Sequence, residues 1–365
     1  MIKKLDWYIL RKFFVTFIFC MLAFTVIAVA VDSSEKTDDF VKTGLSTTQI
    51  LKQYYLGFVP YIWGLLYPLF AFIAVIYFTS KMALRSEVVA ILATGTTYNR
   101  WLRPYFIGGI FMGLILLAAN MYAIPKANEV RSDFEAKYLN KDLPQANQQL
   151  ECPTCFYKRI DSNTYAGIRY FDLRSKSANG FFLDRVRDNK VFYNLRAERI
   201  EWDSLKKDWK LLNVVERTID GMKETLVQTP QKYIGLNLQP SELRKDEFLK
   251  DKLTSPELRR FIRIEEQRAT EGLAPLKVEM NRRNATPFTV LLLTVIGAVI
   301  AGRKTRGGSG LHMAIGITIA AVFILSDRFS TVFATKSNFH PALAAWVPNI
   351  IFTMVAYYLY RKAPK

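Results

Sequence analysis

Histidine and cysteine are scarce: two and three among 365 residues. A structural zinc site wants four ligands. The C-x-x-C pair Cys152 and Cys155 has only Cys20, His312 and His340 to complete such a set, and all three sit in apolar stretches. No metal site is expected. No βαβ pattern surrounds the pair either, so a thioredoxin-type redox role falls away. What remains for Cys152 and Cys155 is a local disulfide in an oxidising compartment, with free thiols as the alternative. Charge is the second absence. Residues 13–31, 54–80, 104–125, 284–302, 307–326 and 337–360 contain no Asp, Glu, Lys or Arg. Each stretch approaches or exceeds the roughly 20 residues a helix needs to cross a bilayer, so each predicts a transmembrane helix. The first outruns the ~7–15-residue core of a signal peptide, and no small-x-small cleavage site precedes Asp32. It is expected to stay as an anchor.

A net charge of +18 in a soluble chain would suggest nucleic acid, but the positions of the charge point to a membrane instead. Lys3, Lys4, Arg11 and Lys12 precede the first stretch, and Lys81, Arg85, Arg100 and Arg103 lie between the second and third. Arg303, Lys304 and Arg306 follow the fourth, and Arg361, Lys362 and Lys365 close the chain. If six spans alternate, these four segments share one side. The opposite short loops hold Lys36, Lys42, Lys52, Arg328 and Lys336, offset by Asp32, Glu35, Asp38, Asp39 and Asp327. The positive-inside rule therefore places both termini in the cytoplasm and the long insert outside it.

The sequence divides into transmembrane helices 1–3 within 1–125, an inserted domain over 126–283, and helices 4–6 within 284–365. The insert reads as β: "NTYAGIRYFD", "GFFLDRVRD", "VFYNLRAERIEW", "DWKLLNVVERTID" and "KETLVQTPQKYIGL" are short runs rich in Val, Tyr, Phe and Leu, separated by turn residues. Leu212 and Val214 make both faces of one strand apolar. A strand of that kind is buried between layers, which predicts a small sandwich or open jelly roll. "SPELRRFIRIEEQRATEG" then gives a charged helix with a Ser255-Pro256 start and a Gly272 stop.

Two motifs carry less than they suggest. "GAVIAGRKT" nearly spells a phosphate-binding loop, but Arg303 interrupts it and its glycines end an apolar span rather than follow a strand. "GGSG" beside His312 resembles an intramembrane serine protease turn. On this topology Ser309 and His340 lie near opposite faces of the membrane, so the hydrolase is the lesser alternative. Charges at the outer ends of spans bear more directly on a lipid. Arg328 follows the fifth span and Lys36 the first, and both are candidate contacts for an anionic headgroup, with a plain interfacial ion pair to Asp327 as the competing reading.

"SKMALRSEVVAILATGTTYNRW" (80–101) interrupts the apolar pattern between the second and third spans. A helix over about 81–95 would set Glu87, Ala90, Ile91 and Thr94 at i, i+3, i+4 and i+7 on one small, acid-marked face, beside Arg85 and before a stop at Gly95. Such a face suits a permease seating in a groove on an ATPase. An amphipathic helix lying on the lipid surface has the same pattern.

With these segments in order, the chain resembles the LptF/LptG (YjgP/YjgQ) family of lipopolysaccharide-export permeases. "SEVVAILATGTTYNRWLRP" resembles that family's coupling-helix segment, "AERIEWDSLKKDWKLLNV" its periplasmic strand pair, "LTSPELRRFI...EG" its return helix, "KVEMNRRNATPF" its approach to span four, and "AAWVPNIIF" its last span. The resemblance covers essentially the whole chain and does not distinguish an F-like from a G-like subunit. It implies an inner-membrane half-transporter, not an enzyme, that pairs with a homologous permease, an LptB-type ATPase dimer and an LptC-type single-span protein. The implied task is extraction of lipopolysaccharide and its delivery through a periplasmic jelly roll to a bridge protein. No cofactor is implied in this chain, since ATP and magnesium would sit on the ATPase. A permease of another lipid- or lipoprotein-extracting ABC system is the runner-up. The charge asymmetry generates a first test. With the three native cysteines replaced, Ser175→Cys should react with an impermeant thiol reagent on cells with a permeabilised outer membrane, while Ser309→Cys should be protected. The reverse pattern would invert the topology.

Overall fold

The computed structural model describes residues 3–139, 156–161, 163–172, 175–188, 190–204, 206, 208–236, 249–268, 272–303, 308–337 and 339–363. Cys152 and Cys155 lie outside these residues, while Cys20 is a buried free thiol. Two compact units emerge, one built from 1–141, 248–260 and 274–365, the other from 142–247 and 261–273.

Among the described residues, six helices in the first unit are long and apolar enough to cross a membrane. The first is α1 (Lys4–Glu35), followed by two short helices, α2 (Thr37–Thr43) and α3 (Thr47–Ile50), and a π-helical turn. The second is α4 (Leu56–Leu84), and a small helix α5 (Glu87–Ala93) separates it from the third, α6 (Tyr98–Ala118), which continues through a second π-turn into α7 (Ile124–Phe134). After the insert come α8 (Leu249–Lys252), α9 (Ser255–Gln267) and the last three spans, α10 (Ala274–Ala301), α11 (Gly308–Lys336) and α12 (Pro341–Arg361). The helices outrun the uncharged stretches at their ends. Residues 126 and 283, expected as domain edges, therefore fall inside α7 and α10. Charges near the membrane surface do not stop a helix, because its backbone bonds stay satisfied within the segment while the side chains reach water.

The most enclosed span is α10, where Val290, Ile296, Ala298 and Ala301 are at most 1% exposed. Small residues let it approach α6: a Cβ on Gly113 would stand 2.8 Å from the Pro287 carbonyl oxygen, and one on Gly109 would stand 3.0 Å from Leu291. Between membrane helices, close backbone approach of this kind replaces the hydrophobic drive that water would supply. On another side Thr289 donates to Asn349 Oδ1 of α12 at 2.8 Å, so two intramembrane polar groups satisfy each other.

The second unit contains one antiparallel sheet in chain order: β1 (Phe156–Arg159), β2 (Thr164–Asp172), β3 (Ser177–Arg187), β4 (Lys190–Asp203), β5 (Asp208–Asp220) and β6 (Lys223–Ile234). The inserted β domain is thus present as a six-stranded meander. The apolar pattern on β5 has a different cause from the two-sided burial inferred from sequence. Ala178 pairs with Ile200 and Ile200 with Leu211; three residues along each strand, Phe181 pairs with Ala197 and Ala197 with Val214. All six are buried, although a spacing of three puts residues on opposite faces of a regular pleat. The line between the two sets holds Gly180 at φ 67° and Asn213 at φ 53°, and Asn213 donates to Glu198 at 2.6 Å. Left-handed residues shift the phase of the strand there, so both sets face one core with Trp209 and Leu195. Leu211 and Val214 share that core, while Asn213 is exposed.

Asn tolerates this left-handed conformation and a β-branched residue does not. Asn213→Val is therefore expected to cost about 1–3 kcal/mol locally and to speed amide exchange in β4 and β5 of the full chain by roughly 5- to 150-fold. Asn213→Gly should leave exchange nearly unchanged. Equal exchange rates in the two variants would show that the backbone at 213 is not the constraint.

Candidate functional site

Three polar constellations border the bundle of the first unit. The first surrounds a cavity of about 160 Å³ between α4, α10 and α11. Leu65, Leu66, Leu69, Leu293, Phe323 and Ile324 line its wall, and Arg282, Asp327 and Arg328 its charged rim. Arg282 pairs with Glu279 at 3.2 Å. Arg328 is exposed and makes no ion pair among the described residues, Asp327 included. An exposed guanidinium beside apolar walls is suited to an anion that carries hydrocarbon.

Arg282 also lines a smaller cavity of about 60 Å³ with Tyr61, Asn128, Asp251, Glu279 and Arg283. The Arg283 guanidinium donates to the carbonyls of Lys250 and Leu253, both at 2.8 Å, and to Glu279 at 3.1 Å. It thereby satisfies carbonyls left open at the end of the short helix α8. Burial, and then the neighbouring Glu279, raise the Asp251 carboxyl above its ordinary range against the pull of Lys250 and Arg282. Sequence reading passed over Arg282 and Arg283. Their signal was the spacing of Glu279, Arg282 and Arg283, three and four residues apart, just before an apolar run.

Lys36 is arranged differently from Arg328. Its ammonium stands 3.0 Å from Asp32 and 3.2 Å from Glu135 and contacts the Tyr54 hydroxyl. Tyr54 is fully buried among Phe40, Tyr55, Phe58 and Phe134 and donates to Asp32 at 3.0 Å. A lipid phosphate would have to displace two carboxylates to reach Lys36.

At the end of the bundle carrying the termini, the stretch 81–95 forms two pieces rather than one helix. α4 ends at Leu84, Ser86 turns left-handed at φ 59°, and α5 runs from Glu87 until Gly95, at φ 81°, stops it. Ala90, Ala93, Thr94, Gly95 and Arg85 are exposed, as is Val89 at 51%. Glu87 and Ile91 are half-buried, and Ile91 packs against the bundle core. The free face is therefore rotated from the predicted one and includes Val89 and Ala93, because Val88, 2% exposed, sets which side of so short a helix is inward. The Glu87 carboxylate accepts from Tyr8 at 2.8 Å and from Lys12 at 3.2 Å. Burial opposes its ionisation, but those hydrogen bonds and the charges of Lys12 and Arg85 prevail, holding the carboxyl below its ordinary value. It is charged at neutral pH, and the contact weakens only as pH falls through that depressed value. Next to it Arg100 grips Asp6 with two hydrogen bonds, 2.6 and 2.8 Å, and Asp6 is 1% exposed.

His312 is 2% exposed, and His340 caps the start of α12, accepting from the Ala342 amide at 3.3 Å. The length of α11 separates His340 from Ser309, roughly 40 Å at 1.5 Å per residue, so these two residues form no catalytic pair. Gly297 lies within α10 against Phe72, which is not the setting of a phosphate-binding loop.

Six membrane-length helices among the described residues, split around an inserted antiparallel sheet, define a multi-pass membrane protein. The family model described as "Lipopolysaccharide export system permease LptF/LptG" matches residues 7–362, nearly the full chain, and the chain belongs to that family. No curated protein compared with the chain matches it.

Asp6 is buried while the Arg100 side chain stays 23% exposed, so removing the carboxylate leaves a guanidinium that water can still reach. Asp6→Ala is expected to lower the unfolding midpoint in a mixed-micelle titration, and Asp6→Ala with Arg100→Leu should recover most of the loss. No recovery would mean that Asp6 acts through the Lys3 cap alone, where it accepts from the Lys3 amide at 2.8 Å.

Proposed function

We propose that this chain is one half of an ABC-type exporter that draws lipopolysaccharide from the outer leaflet of the inner membrane and passes it upward through its β domain. The carrying observation is the cavity between α4, α10 and α11, whose leucine and phenylalanine walls end at the exposed Arg328. A segment of one acyl chain suits those walls, and a headgroup phosphate suits a two-pronged guanidinium. Arg328 makes the first headgroup contact, and Lys36 joins only after exchanging Asp32 and Glu135 for phosphate.

Leaving a bilayer costs about 0.8 kcal/mol per buried CH₂, far more than this chain can supply by binding alone for a lipid with several acyl chains. Energy comes from an LptB-type ATPase dimer that holds ATP and magnesium and seats on the exposed side of α5. The lysine and arginine asymmetry supports a cytoplasmic position for α5 and the termini and a periplasmic one for the β domain. Exposed apolar residues on α1 and α11, such as Phe19, Val26, Leu325 and Phe333, support a homologous permease alongside. An LptC-type single-span protein and a periplasmic bridge complete the route, and β6, an edge strand of the sheet among the described residues, with Leu226 64% exposed, offers the bridge a place to add a strand.

In the assembled complex, Arg328→Glu is expected to cut crosslinking to lipopolysaccharide by roughly 10-fold or more, consistent with loss of a charge-assisted contact of about 1.5–3 kcal/mol. Arg328→Lys should reduce it mildly, with basal ATP hydrolysis retained. Full lipid capture by a well-expressed Arg328→Glu complex, or an Asp327→Ala defect at least as large, would reassign Arg328 to an interfacial ion pair.

A further inference from the structure

Glu87 belongs to the small helix that faces the ATPase on the proposed reading, yet its carboxylate is turned away from the free side of α5. Two donors from α1 meet the same carboxylate oxygen, Oε2: the Tyr8 hydroxyl at 2.8 Å and the Lys12 ammonium at 3.2 Å. Tyr8 and Lys12 lie one turn apart on one face of α1. The Lys12 ammonium also contacts the Tyr8 hydroxyl and stands 4.1 Å from the centre of its ring, so the three side chains form a single cluster.

The neighbouring geometry makes this cluster a mechanical link. α5 is bracketed by left-handed residues, Ser86 at φ 59° and Gly95 at φ 81°, so it is a short rigid piece between two bends. Val88 fixes its inner side in the core with Ile9, Phe13 and Trp101, leaving Val89, Ala90 and Ala93 outward. About 9 Å along α1 from Lys12, at 1.5 Å per residue, the buried Asp6–Arg100 pair fastens the first turn of α1 to α6. A pull at Glu87 is thus applied beside a fixed point. Beyond it α1 carries exposed apolar residues, Val15, Ile18, Leu22 and Val31 among them, and faces lipid or a second subunit rather than a packed core.

We propose that Tyr8 and Lys12 are positioning residues that tie α5 to α1 through Glu87, so that force applied to the outer side of α5 is delivered to the first span. This rests on the reading of α5 as the ATPase seat. The Lys12 and Glu87 side chains are only 32% and 26% exposed, but a single partly exposed pair contributes little to folding. Its loss changes transmission without unfolding the bundle.

The test uses the complete transporter in proteoliposomes and reads ATPase co-purification, ATP hydrolysis and lipopolysaccharide released per ATP. Lys12→Met and Tyr8→Phe should each leave co-purification and the unfolding midpoint as in the unaltered protein, while lipid released per ATP falls about fivefold in Lys12→Met. Exchanging the charges, Lys12→Glu with Glu87→Lys, should restore at least half of that coupling. Unchanged coupling in Lys12→Met, or loss of ATPase co-purification in Glu87→Gln that Lys12→Met does not share, would overturn the link and give Glu87 to the ATPase directly. Ala93→Trp, on the outward side of α5, separates the two readings. Normal ATPase assembly in that variant would sink the seat itself, whereas lost assembly with unaltered coupling in Lys12→Met would sink only the link.

Discussion

Hydrocarbon cannot solvate a charge, and that constraint arranges the rest of the molecule. Charged side chains of the membrane unit gather toward helix ends, where they are paired, as in Asp6 with Arg100, or reach out, as Arg328 does. Deeper in the bundle Thr289 and Asn349 are uncharged and satisfy each other. Burying an ion without a partner costs several kcal/mol. The two ends of the bundle consequently become its two chemically active surfaces, and the apolar cavity between α4, α10 and α11 lies beneath one of them.

The two active ends differ in how their charges are held. At the end with the termini, Glu87 and Asp6 are each engaged by α1 or α6, and the exposed side of α5 is small and nearly uncharged. At the far end Lys36 is enclosed by two carboxylates while Arg328 is left open. A surface meant for a protein groove and a rim meant for a phosphate make opposite demands. The first gains from having its acid already satisfied, since an unpaired buried charge in an interface weakens association. The second gains from a cation kept without an internal partner.

Much of this was legible in the sequence for a physical reason. Uncharged stretches of bilayer length are a strong signal, so all six spans could be read. Lys36 stands just beyond its helix as expected, whereas Arg328 falls inside α11, which runs on to Lys336; nor could the two be told apart, because Glu135 reaches Lys36 from across the fold. Likewise the face of α5 could not be fixed by a period-3.6 count. With seven residues between two left-handed turns, the inward side is set by Val88 and by Tyr8 and Lys12, whose proximity no local pattern encodes. On β5 the alternation misled, since Asn213 shifts the phase of the pleat and a left-handed asparagine has no sequence signature of its own. Arg282 and Arg283 had a visible spacing, but the helix they serve, α8, is only four residues long.

The central claim is that the cavity lined by Leu293 and Phe323 takes a segment of one acyl chain of the transported lipid. Site-specific photocrosslinking in the assembled transporter tests it most directly, with a photoreactive residue at Phe323 compared with one at Phe329, which is 63% exposed on the outside of α11. The account predicts a lipopolysaccharide adduct at 323 that diminishes on ATP turnover, and mainly phospholipid adducts at 329 that do not. Phospholipid alone at both positions, or a lipopolysaccharide adduct at 323 indifferent to ATP, would contradict it.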